Sequence, residues 1–306
     1  RSSSSAASDV YKRQLIYRLS LILLKKNNVA LLSALIFVFH PILGHSIFWI
    51  SGRTDMLALS FYLLSLIYTS SFIERTSLKK LFLVQILFFC AMLTKEVSIT
   101  LPLAQFWMIF WKKNHISLTG GIRQYITKII ASSTVVFSIF LYYRFSIFNQ
   151  NPFIIDSIYT LGGLSQLVTN MIKIGSFLTV PFGHAWFEMK VMNYKTYAII
   201  LMVPFLVKSC IYLFNNRSRQ YKIIMLTFLL FISALPLFNL TMRWYLYIPV
   251  SFFSLVLAVL VIKIKDKSKF AYSLSVLYLF TFIVGSILNY KIWLNNAQIG
   301  REVVNG

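Results

Sequence analysis

The stretch 29–73, VALLSALIFVFHPILGHSIFWISGRTDMLALSFYLLSLIYTSSFI, decides the fold class. It contains two apolar runs, roughly 29–44 and 55–73, on either side of a short segment with polar and charged residues. A helix needs about 20 mostly apolar residues to cross a bilayer, and both runs approach that length. The stretch therefore predicts two membrane-spanning helices joined by a short polar connection.

The composition of the whole chain extends this prediction. Of 306 residues, 58% are hydrophobic and 12% are charged, and the mean hydropathy is +0.73. A soluble domain carries roughly twice that share of charged residues, so most of this surface must face lipid. The 17% of aromatic residues suits lipid-facing helices and interfacial belts. An integral membrane protein is predicted, and a soluble domain is excluded.

The net charge of +22 comes from 30 Lys and Arg against 8 Asp and Glu. In a soluble protein this excess would suggest a nucleic-acid partner. Here the basic residues cluster between apolar runs, which is typical of cytoplasmic loops and predicts no nucleic-acid binding. The clusters are Lys25-Lys26, Lys79-Lys80, Lys112-Lys113, Arg217 to Lys222 and Lys263 to Lys269.

An all-α polytopic bundle of about ten spans and one interfacial helix follows from the apolar runs. Besides the two runs above, the candidate spans are a partial one at 15–24 and runs at 80–95, 96–111, 127–147, 196–214, 223–238, 245–262 and 270–288. Placing every basic cluster inside gives a consistent alternation if segment 164–180 does not cross the membrane.

Segment 164–180 carries one polar stripe on an otherwise apolar helix. The polar residues recur at helical spacing, which favours a helix in the interface or along a cavity. They are Gln166, Thr169, Asn170, Lys173 and Ser176. We therefore predict that Gly163 and Pro181 lie on the same, outer side.

The acidic residues divide unevenly under this topology. Asp55, Glu96, Asp156, Glu188 and Glu302 fall on the outer face, whereas Glu74 and Asp266 fall in inner loops. Carboxylates on one face beside apolar walls suit an extracytoplasmic active site. Selection of inner loops for Lys and Arg explains the same distribution equally well.

The N-terminal residues 1–14, RSSSSAASDVYKRQ, are polar and differ in character from the run that follows. They are interpreted as adapter-like sequence joined to a fragment, so that Leu15 begins within a helix. Cys90 and Cys210 both lie inside apolar runs, where small packing residues are expected rather than a disulfide or a metal site. No divalent metal is indicated.

The connection after the first run is the strongest candidate site. It places His40, His45, Arg53 and Asp55 at the outer ends of two spans. Charged groups at membrane depth are costly unless paired or wetted, so they indicate a functional cavity. Arg53 and Asp55 are two residues apart and should meet different partners. The alternative is a helix start at which Asp55 acts as a cap.

Two further stretches could hold an anion on the outer face. In CAMLTKEVSITLPLAQ, residues 90–105, Lys95 and Glu96 lie at the tip of an apolar hairpin. Lys95 could bind a lipid-linked phosphate, or the two could form a local ion pair that marks a turn. In NLTMRWYLYIP, residues 239–249, Arg243 lies beside Tyr245 and could clamp a phosphate or sugar. Snorkelling within an aromatic belt is the alternative.

In this order, the blocks HPILGHSIFWISGRTDMLALSFYLLSLIY, MLTKEVSITLPL and RWYLYIP resemble a known family. The chain resembles the transmembrane-and-tetratricopeptide (TPR) O-mannosyltransferase-like proteins and their bacterial relatives, within the GT-C superfamily of membrane glycosyltransferases. The tail NYKIWLNNAQIGREVVN resembles the lead-in to TPR helices. The resemblance implies a glycosyltransferase domain over 15–288 and an extracytoplasmic tail over 289–306.

Two departures from the family pattern stand out. The family has an acidic residue where this chain has His45. Its main catalytic acid lies in the first outer loop, which would precede Leu15. The catalytic residue is therefore unknown, and the chain alone is expected to be inactive.

The resemblance implies transfer of a mannose-like sugar from a polyprenyl-phosphate carrier to a hydroxyl of a protein or glycan acceptor. It places the active face and the C-terminus outside a bacterial inner membrane. The predicted substrate-binding residues are His40, Arg53, Asp55, Lys95, Glu96, Arg243 and Tyr245. No nucleotide-binding glycine loop is present in the sequence, which fits a lipid-linked donor and no other certain cofactor.

Other classes remain open. A transporter or flippase for lipid-linked glycans would also place cations in an apolar cavity, although it would typically show internal repeats. An O-antigen polymerase or ligase would share the helix count and the outer arginines. A purely structural membrane anchor is the simplest alternative.

Overall fold

A computed structural model describes residues 2–44, 52–113, 121–148, 163–179, 221–238, 243–265 and 269–305. The described part of the chain is helical and contains no strand, which confirms an all-α membrane bundle. The α-helices, in chain order, are α1 Ser2–Leu24, α2 Asn27–Val38, α3 Gly52–Glu74, α4 Leu78–Thr94, α5 Leu101–Lys113, α6 Gly121–Phe148, α7 Leu164–Thr179, α8 Tyr221–Ala234, α9 Tyr247–Lys265 and α10 Lys269–Asn305. Three 3₁₀ helices cover Glu96–Thr100, Leu235–Phe238 and Arg243–Leu246.

Four of these helices have the length and apolarity to cross a bilayer, counted over the described residues. They contain the candidate segments Gly52–Glu74, Arg123–Ser146, Tyr247–Lys265 and Lys269–Asn295. Two shorter apolar helices, Asn27–Val38 and Lys222–Phe238, fall below that length. The predicted span 196–214 lies outside the described residues. The predicted span 270–288 continues without a break, because α10 runs on to Asn305.

Hydrogen bonds show that α3 runs parallel to α5 and to the 3₁₀ helix that precedes it. Tyr62 bonds Thr100, Ser65 bonds Gln105, and Lys112 bonds the carbonyl of Ser70. The partners advance in the same direction along the chain, from Thr100 at the end of the 3₁₀ helix to Lys112 in the last turn of α5, so the two segments run parallel. Polar side chains are a common means of joining helices where lipid surrounds them.

Helices α4 and α6 are related in the same way. Gln85 bonds Ser133, and Glu96, just after α4, bonds Arg144. Both pairs are 48 residues apart in the chain. Since α4 lies between α3 and α5 in the chain, with short connections on both sides, the four helices alternate in direction. The alternation in direction predicted for the runs 55–73, 80–95, 96–111 and 127–147 is therefore present in the described bundle.

The alternation defines two ends, which we call the site end and the basic end. The site end holds the C-terminus of α2, the N-terminus of α3, the 3₁₀ helix Glu96–Thr100 and the C-terminus of α6. The basic end holds the α1–α2 turn, the α3–α4 turn and the C-terminus of α5. At a rise of about 1.5 Å per residue, the 19 residues from Asp55 to Glu74 separate the two ends by roughly 28 Å.

Helix α7 lies against the site end. Asn170 donates from Nδ2 to the carbonyl of Phe238 at 2.8 Å, and the carbonyl of Leu178 meets His40 Nε2 at 2.9 Å. Phe238 ends the 3₁₀ helix that follows α8, and His40 follows α2. Both α2 and α8 have their C-termini at the site end. Gln166, Thr169 and Lys173 of the polar stripe are exposed, and so are the apolar Met171 and Ile172, so exposure does not distinguish the stripe from the rest of the helix. Asn170 departs from that stripe, because it is buried by its bond to Phe238.

Candidate functional site

An ion pair lies at the centre of the site end. Lys95 Nζ is 3.0 Å from Asp55 Oδ1. Asp55 is in the first turn of α3, where a carboxylate is favoured by the helix dipole. Lys95 has extended backbone (φ −159°, ψ 127°) between α4 and the following 3₁₀ helix, so its side chain leaves the helical path. The prediction that Asp55 meets a partner other than Arg53 is consistent with this geometry.

The two members of this pair are buried to different degrees. The Asp55 side chain is 4% exposed, whereas the Lys95 side chain is 20% exposed. A buried carboxylate needs a partner, and Lys95 supplies it. An ammonium group has three N–H donors, so Lys95 can bond Asp55 and a second acceptor together. The pair thus leaves part of the Lys95 side chain accessible, whereas Asp55 is enclosed.

Tyr245 completes the cluster. Its ring centroid lies 4.6 Å from Lys95 Nζ, within the range of a cation–π contact. Tyr245 belongs to the 3₁₀ helix Arg243–Leu246, which precedes α9. Three of the residues predicted from separate stretches, Asp55, Lys95 and Tyr245, therefore meet at one point. We call them the Lys95 cluster.

The structure gives less detail about the two predicted arginines, Arg53 and Arg243. Arg53 lies in the first turn of α3 and is exposed. Arg243 begins the 3₁₀ helix that carries Tyr245, and the structure describes its backbone position. The side chain of Arg243 and the whole of His45 lie outside the described residues. The convergence of Arg53, Lys95 and Arg243 on one cavity stays a prediction.

Glu96 faces a different partner from Lys95. Its carboxylate pairs with the Arg144 guanidinium near the end of α6, and the two side chains are 60% and 30% exposed. The alternative of a local ion pair between Lys95 and Glu96 is therefore not observed, because Lys95 pairs with Asp55 and Glu96 with Arg144. Arg144 was missed by the sequence analysis. Its position as an arginine in the apolar run 127–147 was the signal that could have found it.

His40 is enclosed by protein. Its side chain is 1% exposed, and its ring lies against Phe253 and Phe282, with centroids 5.9 and 5.1 Å away. Nε2 donates to the carbonyl of Leu178, and Nδ1 accepts from the Ile42 N–H at 3.4 Å. These contacts join the end of α2 to α7, α9 and α10. They are the contacts of a structural residue, and a role in substrate binding stays a prediction.

Buried polar groups line the α3–α5 contact below the Lys95 cluster. Tyr62 Oη and Thr100 Oγ1 are 3.3 Å apart, and Gln105 donates to Ser65 at 2.9 Å. Ser98 Oγ and Gln105 Oε1 are buried with no hydrogen-bond partner among the described residues. Polar side chains therefore continue from the Lys95 cluster into the bundle rather than stopping at its surface.

Comparison with protein families gives one result. Residues 5–143, just under half of the chain, match the family described as dolichyl-phosphate-mannose-protein mannosyltransferase. This match confirms the predicted family resemblance and supports a membrane glycosyltransferase of the GT-C type. It begins within the segment 1–14 that was interpreted as adapter-like, so that boundary stays a prediction. No curated protein and no solved structure matched the chain.

Proposed function

We propose that this chain acts on a polyprenyl-phosphate sugar, transferring the sugar to an acceptor hydroxyl at the site end of the bundle. The contact of Lys95 with both Asp55 and Tyr245 is the observation that supports the proposal most directly. It places a partly exposed cation beside an aromatic ring among apolar helices. A phosphate on an apolar carrier matches both properties.

The reaction is a substitution at the anomeric carbon of the sugar. A bond forms between the acceptor oxygen and this carbon, while the bond from this carbon to the phosphate oxygen breaks. The phosphate keeps the electron pair, and a general base receives the acceptor proton. Negative charge therefore grows on the phosphate, and a cation fixed beside it lowers the barrier.

Within this proposal, Lys95 binds the phosphate, and Asp55 holds the ammonium in position through their 3.0 Å contact. Tyr245 contacts the same ammonium and further limits its movement. Arg53 and Arg243 would supply further positive charge from neighbouring turns. The general base is not assigned, because Asp55 is occupied by Lys95 and Glu96 by Arg144.

Transfer is tested with the full chain in proteoliposomes that contain radiolabelled polyprenyl-phosphate mannose. We expect donor binding, and release of polyprenyl phosphate once a suitable hydroxyl acceptor is added. Arg53→Ala should reduce both while leaving thermal unfolding unchanged, because an exposed side chain contributes little to packing. The matched control is Arg123→Ala, which removes an exposed arginine at the basic end.

Three outcomes would contradict the proposal or redirect it. If wild type binds the labelled donor no more strongly than Lys95→Met does, Lys95 does not bind the donor phosphate. Equal losses in Arg53→Ala and Arg123→Ala would make the effect one of overall charge. Movement of the intact donor lipid between leaflets, without cleavage of the sugar, would favour the transporter alternative.

We also propose that the site end faces the extracytoplasmic side of a bacterial inner membrane. Cysteines introduced at Gly163 and Pro181, in a background without Cys90 and Cys210, should both react with an impermeant maleimide from outside. A cysteine at Lys79, at the basic end, should react only after the membrane is opened. Labelling of residues 163 and 181 from opposite sides would overturn the topology.

A further inference from the structure

A second group of side chains joins the same three segments that meet in the Lys95 cluster. The hydroxyl of Tyr62, on α3, is 3.3 Å from Oγ1 of Thr100, the last residue of the 3₁₀ helix that follows Lys95. The ring of Tyr62 meets the ring of Phe252, on α9, edge-on, with the centroids 6.1 Å apart. All three side chains are buried. We call these three residues the Tyr62 layer.

The Tyr62 layer lies deeper in the bundle than the Lys95 cluster. Tyr62 follows Asp55 by seven residues, and Phe252 follows Tyr245 by seven residues, which is about two helical turns in each case. Along α3 the layer therefore begins roughly 10 Å from Asp55 towards the basic end. Side chains of an α-helix tilt towards its N-terminus, and the N-terminus of α3 is at the site end. The Tyr62 side chain is therefore directed back towards the Lys95 cluster.

The 3₁₀ helix between α4 and α5 is thus attached to α3 at both of its ends. Lys95, which precedes it, is 3.0 Å from Asp55, and Thr100, which ends it, contacts Tyr62. Between these two points, Ser98 Oγ has no hydrogen-bond partner among the described residues. A 3₁₀ helix has poorer hydrogen-bond geometry than an α-helix. This short segment therefore depends on its contacts with α3 for a fixed position.

The hydroxyl of Tyr62 is the donor in the contact with Thr100. Thr100 Oγ1 donates to the carbonyl of Val97 at 3.3 Å. A threonine hydroxyl has one O–H donor, so Thr100 Oγ1 accepts from Tyr62. Removing either hydroxyl breaks the bond, whereas the Tyr62 ring and its contact with Phe252 are kept in Tyr62→Phe.

From these contacts we propose that Tyr62 and Thr100 are positioning residues for Lys95. Their hydrogen bond holds the 3₁₀ helix against α3, and this keeps the Lys95 ammonium in contact with Asp55 and Tyr245 when the donor phosphate binds. Neither Tyr62 nor Thr100 contacts the donor, because both are enclosed by protein. The inference rests on the proposed function, in which Lys95 binds the donor phosphate.

The test removes the two hydroxyls, singly and together, in the full chain. Tyr62→Phe and Thr100→Val each remove one hydroxyl, and Thr100→Ser is the conservative variant that retains it. The matched control is Tyr278→Phe, which removes a tyrosine hydroxyl that donates to the carbonyl of Thr179 instead. Each variant is measured in two ways in proteoliposomes. The first is the affinity of the folded fraction for radiolabelled polyprenyl-phosphate mannose, and the second is amide hydrogen exchange of residues 95–100 without donor.

We expect faster exchange of residues 95–100 in Tyr62→Phe and in Thr100→Val. Exchange in α9 should not change in Tyr62→Phe, because the ring contact with Phe252 remains. Donor affinity should fall about three- to ten-fold in each single variant, the range that corresponds to one lost hydrogen bond. The double variant should be no weaker than Thr100→Val, because the same bond is lost only once. Thr100→Ser and Tyr278→Phe should bind the donor as wild type does.

The two measurements separate this inference from the proposed function. Faster exchange with unchanged donor affinity would overturn the positioning role, and so would unchanged exchange in both single variants. An equal loss of affinity in Tyr278→Phe would make the effect one of general stability. If Tyr62→Phe does not fold, Thr100→Val against Thr100→Ser gives the same comparison. If wild type binds the donor no more strongly than Lys95→Met, the proposed function itself fails and the positioning role falls with it, whatever the exchange of residues 95–100.

Discussion

The two ends of the bundle each contain a lysine–carboxylate pair, and the pairs are built in opposite ways. At the site end the carboxylate is the buried partner, since Asp55 is 4% exposed and Lys95 20% exposed. At the basic end the lysine is the buried partner, since Lys112 is 7% exposed and Glu74 55% exposed. Both pairs join α3 to the segment 95–113, one at each end of the contact.

The difference shows what each pair can do. A buried Asp55 fixes the position of an ammonium that still has donors to offer an external anion. The ammonium of the buried Lys112 is fixed by hydrogen bonds to Glu74 and to the carbonyl of Ser70. It is therefore less available to an external anion than the ammonium of Lys95. The two ion pairs of this protein therefore differ in function through which partner is accessible, and not through the distance between the charged atoms.

The largest expected effect comes from removing the lysine of the site end. Lys95→Met leaves the Asp55 carboxylate buried without its partner, which should lower the free energy of unfolding by about 3–5 kcal/mol. Donor binding should be lost as well. In the double variant Lys95→Met, Asp55→Leu, stability should return while donor binding stays absent. Thermal unfolding in detergent and binding of labelled polyprenyl-phosphate mannose measure the two effects.

The basic end supplies the control for that experiment. Lys112→Met should also destabilise the bundle, because it breaks the contact between α5 and the end of α3, yet it should leave donor binding by the folded fraction unchanged. Loss of donor binding in Lys112→Met would show that both pairs act only through stability. Full donor binding by the double variant at Lys95 and Asp55 would remove the phosphate role of Lys95.

The next effect concerns His40. His40→Leu removes a hydrogen bond to the Leu178 carbonyl and an acceptor for the Ile42 N–H, both in a buried place. We expect a loss of about 1–3 kcal/mol in the free energy of unfolding. Donor affinity, measured on the folded fraction, should not change. Weaker donor binding with unchanged thermal unfolding would restore His40 to the substrate-binding residues predicted from the sequence.

Much of the helical arrangement could be predicted from the sequence, because hydropathy and charge act on long segments. The run 55–73 became α3, Gly52–Glu74, and the polar stripe of 164–180 became a helix at one end of the bundle. The continuous helix Lys269–Asn305 was not predicted. The polar residues after 288 suggested an end to the span, but they do not interrupt helical hydrogen bonding, which depends on the backbone.

The candidate site was predicted only in part. Lys95, Asp55 and Tyr245 could be named because charged and aromatic residues at the ends of apolar runs are conspicuous. Their contacts could not be derived, since they depend on how α3, the segment after α4 and the start of α9 pack together. The same limit explains why Glu96 was associated with Lys95 rather than with Arg144. Contacts between distant segments follow from helix packing, which one sequence does not specify.

A moderate effect is expected for the aromatic member of the Lys95 cluster. Tyr245→Leu removes the ring from beside the ammonium and should reduce donor affinity by an amount that corresponds to about 0.5–2 kcal/mol. Tyr245→Phe keeps the ring and should bind the donor nearly as well as wild type. A titration of both variants with the labelled donor decides the point. If Tyr245→Phe binds the donor as weakly as Tyr245→Leu, the hydroxyl of Tyr245 rather than its ring is required for binding.

The smallest effect is expected at Glu96. Its pair with Arg144 is largely exposed, and exposed ion pairs contribute about 0–1 kcal/mol. Glu96→Gln should therefore change thermal unfolding very little, and added salt should remove what difference there is.

Donor binding is the informative measurement, because Glu96 is adjacent to Lys95 in sequence yet paired elsewhere. If Glu96 only joins the 3₁₀ helix to α6, Glu96→Gln and Arg144→Gln should behave alike, with donor affinity close to wild type. If donor affinity falls in Glu96→Gln and not in Arg144→Gln, Glu96 contacts the substrate itself, and the proposed site must extend beyond the Lys95 cluster.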